Sequence, residues 1–218
     1  MRIDVINPNT TASMTETMGA AARRVASPGT VVVARNPASG PASIQGPEDG
    51  EAALPGLFAE ADRAVAEGTG AIVIGCFDDT GLIELRARLP VPVIGIGEAG
   101  YVMANLLAPR WSVVTTMAVS IPVLEANIAA QGHAARCARV RASNVPVLEL
   151  EAAGGDVLVA AEIERAFAED DIGAVVLGCA GMTDFASTFT ARFGAPTVDG
   201  VIAAVRLAEL AAGLGRSA

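Results

Sequence analysis

The chain has no lysine: all 15 of its basic residues are arginine. That absence excludes a pyridoxal phosphate Schiff base and a phosphate-binding loop of the lysine type. There is one histidine, His133, so no multi-histidine zinc or iron site can form. A Ser-His-Asp triad would have to run through His133, which lies in the polar segment 131–136 and reads as surface. Aromatic residues make up only 4% of the 218 positions, so the core must be built from Ala, Val, Leu and Ile. Charged residues are scarce at 18%, against 52% hydrophobic, which is too little charge for a disordered chain. The net charge is −9, which speaks against nucleic acid or an anionic membrane surface as partners. The first residues carry no apolar signal-peptide segment, and no apolar run has the length of a spanning helix, so a cytosolic location is expected. The three cysteines, Cys76, Cys137 and Cys179, cannot all pair and have no metal-knuckle spacing; cytosolic thiols are kept reduced.

What the sequence does have is a series of short, near-continuous apolar runs, the pattern of parallel strands covered on both faces. They fall at Ile3–Ile6, Thr30–Ala34, Ala71–Ile74, Val91–Ile94, Trp111–Thr115, Val147–Leu150, Ala174–Leu177 and Pro196–Val198. Helical patterns rich in Ala, Glu and Arg lie between them, at Glu51–Glu67, Glu98–Leu107, Ile121–Gln131 and Asp156–Glu169. Alternation of strand and helix predicts an α/β fold with right-handed crossovers.

The chain also repeats itself. Residues Ala71–Thr80 read Ala-Ile-Val-Ile-Gly-Cys-Phe-Asp-Asp-Thr, and Ala174–Thr183 read Ala-Val-Val-Leu-Gly-Cys-Ala-Gly-Met-Thr. Each is a buried strand, then Gly-Cys, then Thr four residues after the cysteine. A further short strand follows each at Pro92 and Pro196, and Arg2–Asn7 resembles Arg110–Thr115. Two similar lobes are therefore expected, 1–97 with 200–218 returning to it, and 98–199.

Ligands of open α/β sheets bind outside the carboxyl ends of the strands, where both Gly-Cys pairs fall. A helix N-terminus there lowers a thiol's pKa, and the glycine lets the backbone turn beside the sulfur. Two thiols facing each other across one cleft suit racemisation, in which a proton leaves one face of a carbon and another arrives on the opposite face. A thiol with a modestly lowered pKa can serve as either partner near neutrality, and backbone N–H groups can stabilise the carbanion's oxygen. Cys137 lies away from any strand end and is assigned to packing or surface.

Several features compete with this reading. Residues Gly95–Gly100 form a Gly-x-Gly-x-x-Gly after a strand, a dinucleotide-binding pattern, but the next strand ends at Thr115-Thr116 with no ribose-binding acid. Asp78-Asp79 reads as a cap for the following helix rather than a metal or base pair, and Glu98 as a helix first turn. Glu169–Asp171 reads as a solvated turn. Asp199 reads as a helix start.

The combined motifs resemble the hydantoin/allantoin racemases of the aspartate/glutamate racemase superfamily. They are Asn7–Thr10, Gly40–Gly46, Cys76–Leu82, Pro92–Ala99, Ser112–Thr116, Leu177–Met182 and Asp199–Ala204. The resemblance runs along nearly the whole chain. It implies two pseudosymmetric Rossmann-like lobes, each a short parallel sheet flanked by helices, with the active site between them. It implies a small ring substrate, no cofactor, no metal and a homo-oligomer. It also implies Cys76 and Cys179 as the acid/base pair, with Asn9, Phe77, Thr115, Thr116, Ala180 and Gly181 holding the ring, and Ile44 contributing from the long loop. The chain departs from the pattern at Thr80, where many relatives have Pro, at Gln45, where they have Glu, and at Val119, where they often have Arg. The last change removes an anchor for a charged substituent. A small-acid isomerase or a malonate-type decarboxylase of the same superfamily would also use a strand-end cysteine. The decarboxylases work with one such cysteine, and the amino-acid racemases follow theirs with Asn-Thr rather than the Phe77 and Ala180 found here.

Overall fold

The computed structural model describes residues 1–150 and 154–215. It contains two four-stranded sheets, parallel throughout. The first half runs β1 (Arg2–Ile6), α1 (Ala12–Val25), β2 (Val31–Arg35), α2 (Pro47–Ala66), β3 (Ala71–Ile74), α3 (Leu82–Arg88), β4 (Val93–Gly95) and α4 (Ile96–Leu107). The second half repeats the plan with β5 (Trp111–Thr115), α5 (Ile121–Ala130), β6 (Cys137–Ala142), α6 (Gly155–Glu169), β7 (Ala174–Gly178), α7 (Ala186–Phe193), β8 (Thr197–Asp199) and α8 (Gly200–Leu214). Strand order is β2-β1-β3-β4 in one sheet and β6-β5-β7-β8 in the other.

This order positions the site. In each sheet the chain leaves the first strand for one neighbour and returns for the strand on its other side, so the crossovers diverge between β1 and β3 and between β5 and β7. A crevice opens at the carboxyl ends of strands at such a switch point. The register puts Ile6 beside Ile74 and Thr115 beside Gly178, so the segments that follow these strands emerge next to each other.

The central strands are buried from end to end, β3 and β7 without a half-exposed residue, which is why they read as unbroken apolar runs. One apolar cluster joins the two halves and includes Val5 and Val73 of the first sheet, Val113 and Val176 of the second, and Ile96, Val201 and Ala204 of the intervening helices. Within it Phe77 meets Tyr101 edge-on, with ring centroids 5.5 Å apart, and Tyr101 stacks on Trp111 at the same distance. The helix after each sheet crosses to the other one. α4 packs on β7 and β8, and α8 packs on β3 and β4 as well as on α4 itself.

Two expectations for this region fail. Val147–Leu150 is not a strand: Val147–Glu149 form a 3₁₀ turn, and the sixth strand is Cys137–Ala142. β6 is an edge strand carrying Arg139 and Arg141, so it lacks the apolar run of a central strand. Cys137 therefore opens a strand, though at the amino end, remote from the crevice; it is half-buried against the main core, as packing requires. The segment Glu169–Asp171 is not simply a solvated turn either. Asp170 is buried and accepts hydrogen bonds from Arg141 Nε at 2.7 Å and Ser112 Oγ at 2.8 Å.

Candidate active site

The carboxyl ends of β1, β3, β5 and β7 converge on one narrow cleft. Cys76 and Cys179 both line it, together with Asn9, Ile44, Phe77, Thr115, Thr116 and Ala180. Gly181 stands just behind, its N–H directed at the Cys179 sulfur. All the residues that sequence reasoning gathered are therefore in one place. The structure adds Met14, Asp78, Ser120 and Val147. Of these, only Asp78 carried a local signal, as part of the repeated segment. Met14, Ser120 and Val147 arrive from elements whose approach no local pattern announces.

The two cysteines occupy equivalent turns. The N–H of Asp79 bonds to the carbonyl of Cys76 at 3.1 Å, and the N–H of Met182 bonds to the carbonyl of Cys179 at 3.1 Å. In each turn the residue two after the cysteine, Asp78 or Gly181, aims its N–H at the sulfur. The preceding glycines are there for close packing, not for turning. Neither Gly75 nor Gly178 has a positive φ. A Cβ at Gly178 would stand 2.8 Å from the Thr115 backbone, and one at Gly75 would stand 3.2 Å from the Ile6 carbonyl oxygen.

The electrostatics also depart from expectation. Both thiols are pushed up rather than lowered, Cys179 to about 12 and Cys76 well above its ordinary value. Burial is the main cause in each case, and the Asp78 carboxylate adds to it by disfavouring a second negative charge nearby. Donors to the sulfur, among them the N–H groups of Asp78 and Gly181 and the Thr80 hydroxyl at 3.6 Å from Cys76, act the other way but do not outweigh burial. Burial also raises Asp78 to about 7.

The remaining side chains have defined tasks. Asn9 accepts the N–H of Thr11 at 2.9 Å and the amide of Asn7 at 2.8 Å. That engages its oxygen and, among the described residues, leaves its NH₂ with only a long contact to Met14 Sδ, at 3.7 Å. Thr115 donates to the Gly178 carbonyl at 2.9 Å. The Phe77 ring is in the core against Tyr101, so its main chain is what faces the cleft. Gln45, from the loop before α2, accepts the N–H of Val147 at 3.1 Å and ties that loop to the second half. Val119 does not line the cleft; it sits against Gly46 where this loop meets the second sheet's side, and its neighbour Ser120 lines the cleft instead.

The competing features resolve as structure. Of the pair Asp78-Asp79 only Asp79 caps a helix, and it is α4 rather than the one that follows; Asp78 caps neither. The Asp79 carboxylate accepts the N–H groups of Gly97 at 2.9 Å and Glu98 at 2.8 Å, with Gln131 Nε2 at 3.3 Å. The N-terminus that a dinucleotide phosphate would need is thereby filled by a protein carboxylate, which removes the physical basis of that reading. Glu98 lies in the first turn of α4, paired with Arg86. Asp199 caps α8 through the N–H groups of Val201 and Ile202. His133 is held by Asn105 at 2.9 Å, outside the cleft. Among the described residues no group of His, Cys, Asp or Glu is arranged to hold a metal ion.

Geometry of this kind has counterparts. Residues 3–208 match the family model described as Asp/Glu/Hydantoin racemase. A hydantoin racemase from Rhizobium meliloti is 43% identical over 217 residues, covering 99% of this chain and 90% of that protein. The solved structure of an allantoin racemase from Klebsiella pneumoniae superposes with a TM-score of 0.96 at 41% identity, covering 99% of this chain and 89% of that one. An allantoin racemase from Pseudomonas fluorescens superposes at 0.93 with 39% identity, covering 100% and 93%. With a match of this extent laid over two equivalent cysteine turns, the chain belongs to the Asp/Glu/hydantoin racemase family.

Proposed function

We propose that this racemase inverts the stereocentre of 5-substituted hydantoins or allantoin by transferring protons between the substrate carbon and two thiols, Cys76 and Cys179. The observation that carries the proposal is the pair of equivalent cysteine turns opening on one cleft. The substrate class is supported by the relatives named above, and by a cleft whose two cysteines are followed by Phe77 and Ala180 rather than by carboxylate-binding side chains.

The chemistry divides in a balanced way. One sulfur, as thiolate, takes the proton from the ring carbon, and the other, as thiol, supplies a proton to the opposite face. The electron pair left on carbon moves toward the adjacent carbonyl oxygen, where the main-chain N–H groups beside the cysteines and the Asn9 amide meet the developing charge. Reversing the substrate's hand reverses the two roles. No cofactor enters this scheme. Both thiols are raised by burial in the cleft, so forming the thiolate is part of the barrier, and alkaline conditions favour it.

The test is proton exchange in D₂O. The wild-type enzyme is expected to racemise a chiral hydantoin and to place deuterium at its stereocentre. Cys76→Ser and Cys179→Ser are each expected to lose racemisation, by a factor of 10² or more on the order of general acid–base losses. Each variant should keep exchange preferentially for one enantiomer, and not the same one. Wild-type racemisation in either variant would end the two-thiol reading. A decarboxylase reading needs only one of the thiols, and release of CO₂ from a malonate would reveal it.

The division of labour between lobes follows the two sheets. We take 1–97 with 200–218 as one lobe and 98–199 as the other, supported by α8 packing on β3 and β4; positions 216–218 lie outside the described residues. The location and assembly we assign are cytosolic and homo-oligomeric. Among the described residues no helix is long and apolar enough to cross a membrane, and Leu106, Leu107, Leu210 and Leu214 are exposed on α4 and α8.

A further inference from the structure

We infer that the Asp78 carboxylate is a substrate-binding group, the acceptor for a ring N–H of the hydantoin-type substrate; this rests on the racemase reading above. Four observations lead there. Asp78 lines the cleft together with both thiols. It also lines a neighbouring groove beside Thr80 and Asn127, so the residue borders both spaces. Its main chain is held from two sides, by the N–H directed at the Cys76 sulfur and by the carbonyl accepting Asn127 Nδ2 at 2.8 Å. The side chain, by contrast, receives no hydrogen bond among the described residues, while its neighbour Asp79 accepts three.

A half-buried carboxylate with no protein hydrogen bond among the described residues, its oxygens not sealed from the cleft, is free to take a ligand's donor, and the fold does not require this one. The equivalent position in the second lobe is Gly181, and the turn there forms with the same 3.1 Å hydrogen bond. The carboxyl at Asp78 is thus an addition to a turn that closes without it. What the cleft does not otherwise offer is an acceptor of that strength. Its main-chain N–H groups and the Asn9 amide are donors suited to carbonyl oxygens, and the Thr115 hydroxyl already donates to Gly178. Among the described residues, Asp78 is the cleft's one carboxylate. A ring that presents N–H groups as well as carbonyls needs both kinds of partner. A preorganised anion gives the stronger, charge-assisted hydrogen bond.

The experiment is a cycle between variant and substrate. A 5-alkyl hydantoin and its N1-methyl and N3-methyl analogues are compared on the wild type, Asp78→Asn and Asp78→Ala, above pH 8, by chiral separation of the products. The wild type is expected to lose tenfold or more in kcat/KM on one of the two methyl analogues. Asp78→Asn, which keeps shape and an acceptor but not the charge, is expected to lose about tenfold on the parent and to discriminate less against that analogue. Asp78→Ala is expected to lose more on the parent and to bring the ratio close to one. The inference is overturned if Asp78→Asn leaves both the parent rate and the ratio unchanged. It is also overturned if both variants lose equally on all three substrates, as a purely structural residue would. A wild type that racemises none of the three would remove the substrate reading itself, a different result from loss confined to the variants.

Discussion

Cys76 and Cys179, to which the proposed chemistry falls, show how a thiol's ionisation is set by competing terms of different size. A donor N–H and a turn resembling a helix start favour the thiolate, and sequence reasoning that counts only these expects a lowered pKa. Burial in a narrow cleft costs the charged form more, and the nearby Asp78 carboxylate adds to the cost. The sign of the pH dependence follows. A raised thiol pKa means that the thiolate is scarce at neutrality, so kcat/KM should climb as pH rises, through an alkaline limb that reports thiol ionisation in the free enzyme. Removing the Asp78 charge removes a term that holds both thiols protonated. Asp78→Asn should therefore move that limb to lower pH, whatever it does to the height of the profile. A pH–rate profile of both enzymes on one neutral substrate checks this, and an unmoved limb would mean that the Asp78 charge does not reach the sulfurs.

At the scale of elements, the parts legible in the sequence were those whose environment is uniform. β3 and β7 are buried along their whole length and read directly as strands, and the repeat between them located the site. β6 escaped because part of what it buries is ionic. Arg141 is buried with Glu162 at 3.0 Å and Asp170 at 2.6 Å, a pairing that sequence periodicity does not register. The run at Val147–Leu150 misled for the converse reason, since apolar residues there serve the cleft wall and the core from a 3₁₀ turn. Asp79 was legible as a cap, but its helix is α4, and only the tertiary fold brings the two together. These elements differ in what they tolerate. Arg141→Met would leave the buried Glu162 and Asp170 with only the exposed Arg165 and Arg139 as ion-pair partners and should cost up to about 3 kcal/mol in chemical denaturation. Arg110→Ala, which breaks a 3.5 Å pair to the exposed Asp171, should cost less than about 1 kcal/mol. Asp79→Ala uncaps α4 and should fall between them, at about 1–2 kcal/mol.

At the scale of the molecule, the two switch points are brought to one cleft because the helix that follows each sheet crosses to the other one and one apolar core joins the halves. The cleft so formed inherits the charge of the whole. The chain carries −9, and among the described residues no cation lines the cleft, while Asp78 does. Val119, the position at which the family resemblance implies Arg, stands beside Gly46 and next to Ser120 of the cleft wall. Two effects thus oppose an anionic side group: a long-range field that slows its approach, and a local absence of any partner for its charge once bound. They respond differently to salt, since ions screen the field over a Debye length of about 8 Å at physiological strength but act little inside a narrow cleft. A carboxymethyl-substituted hydantoin should therefore show lower kcat/KM than an alkyl-substituted one. Added salt should narrow the gap without closing it, and the alkyl substrate's rate should stay nearly flat. Val119→Arg should raise kcat/KM for the carboxymethyl substrate selectively. Equal rates on both substrates at low salt would show that the racemase does not sense the substituent's charge at all.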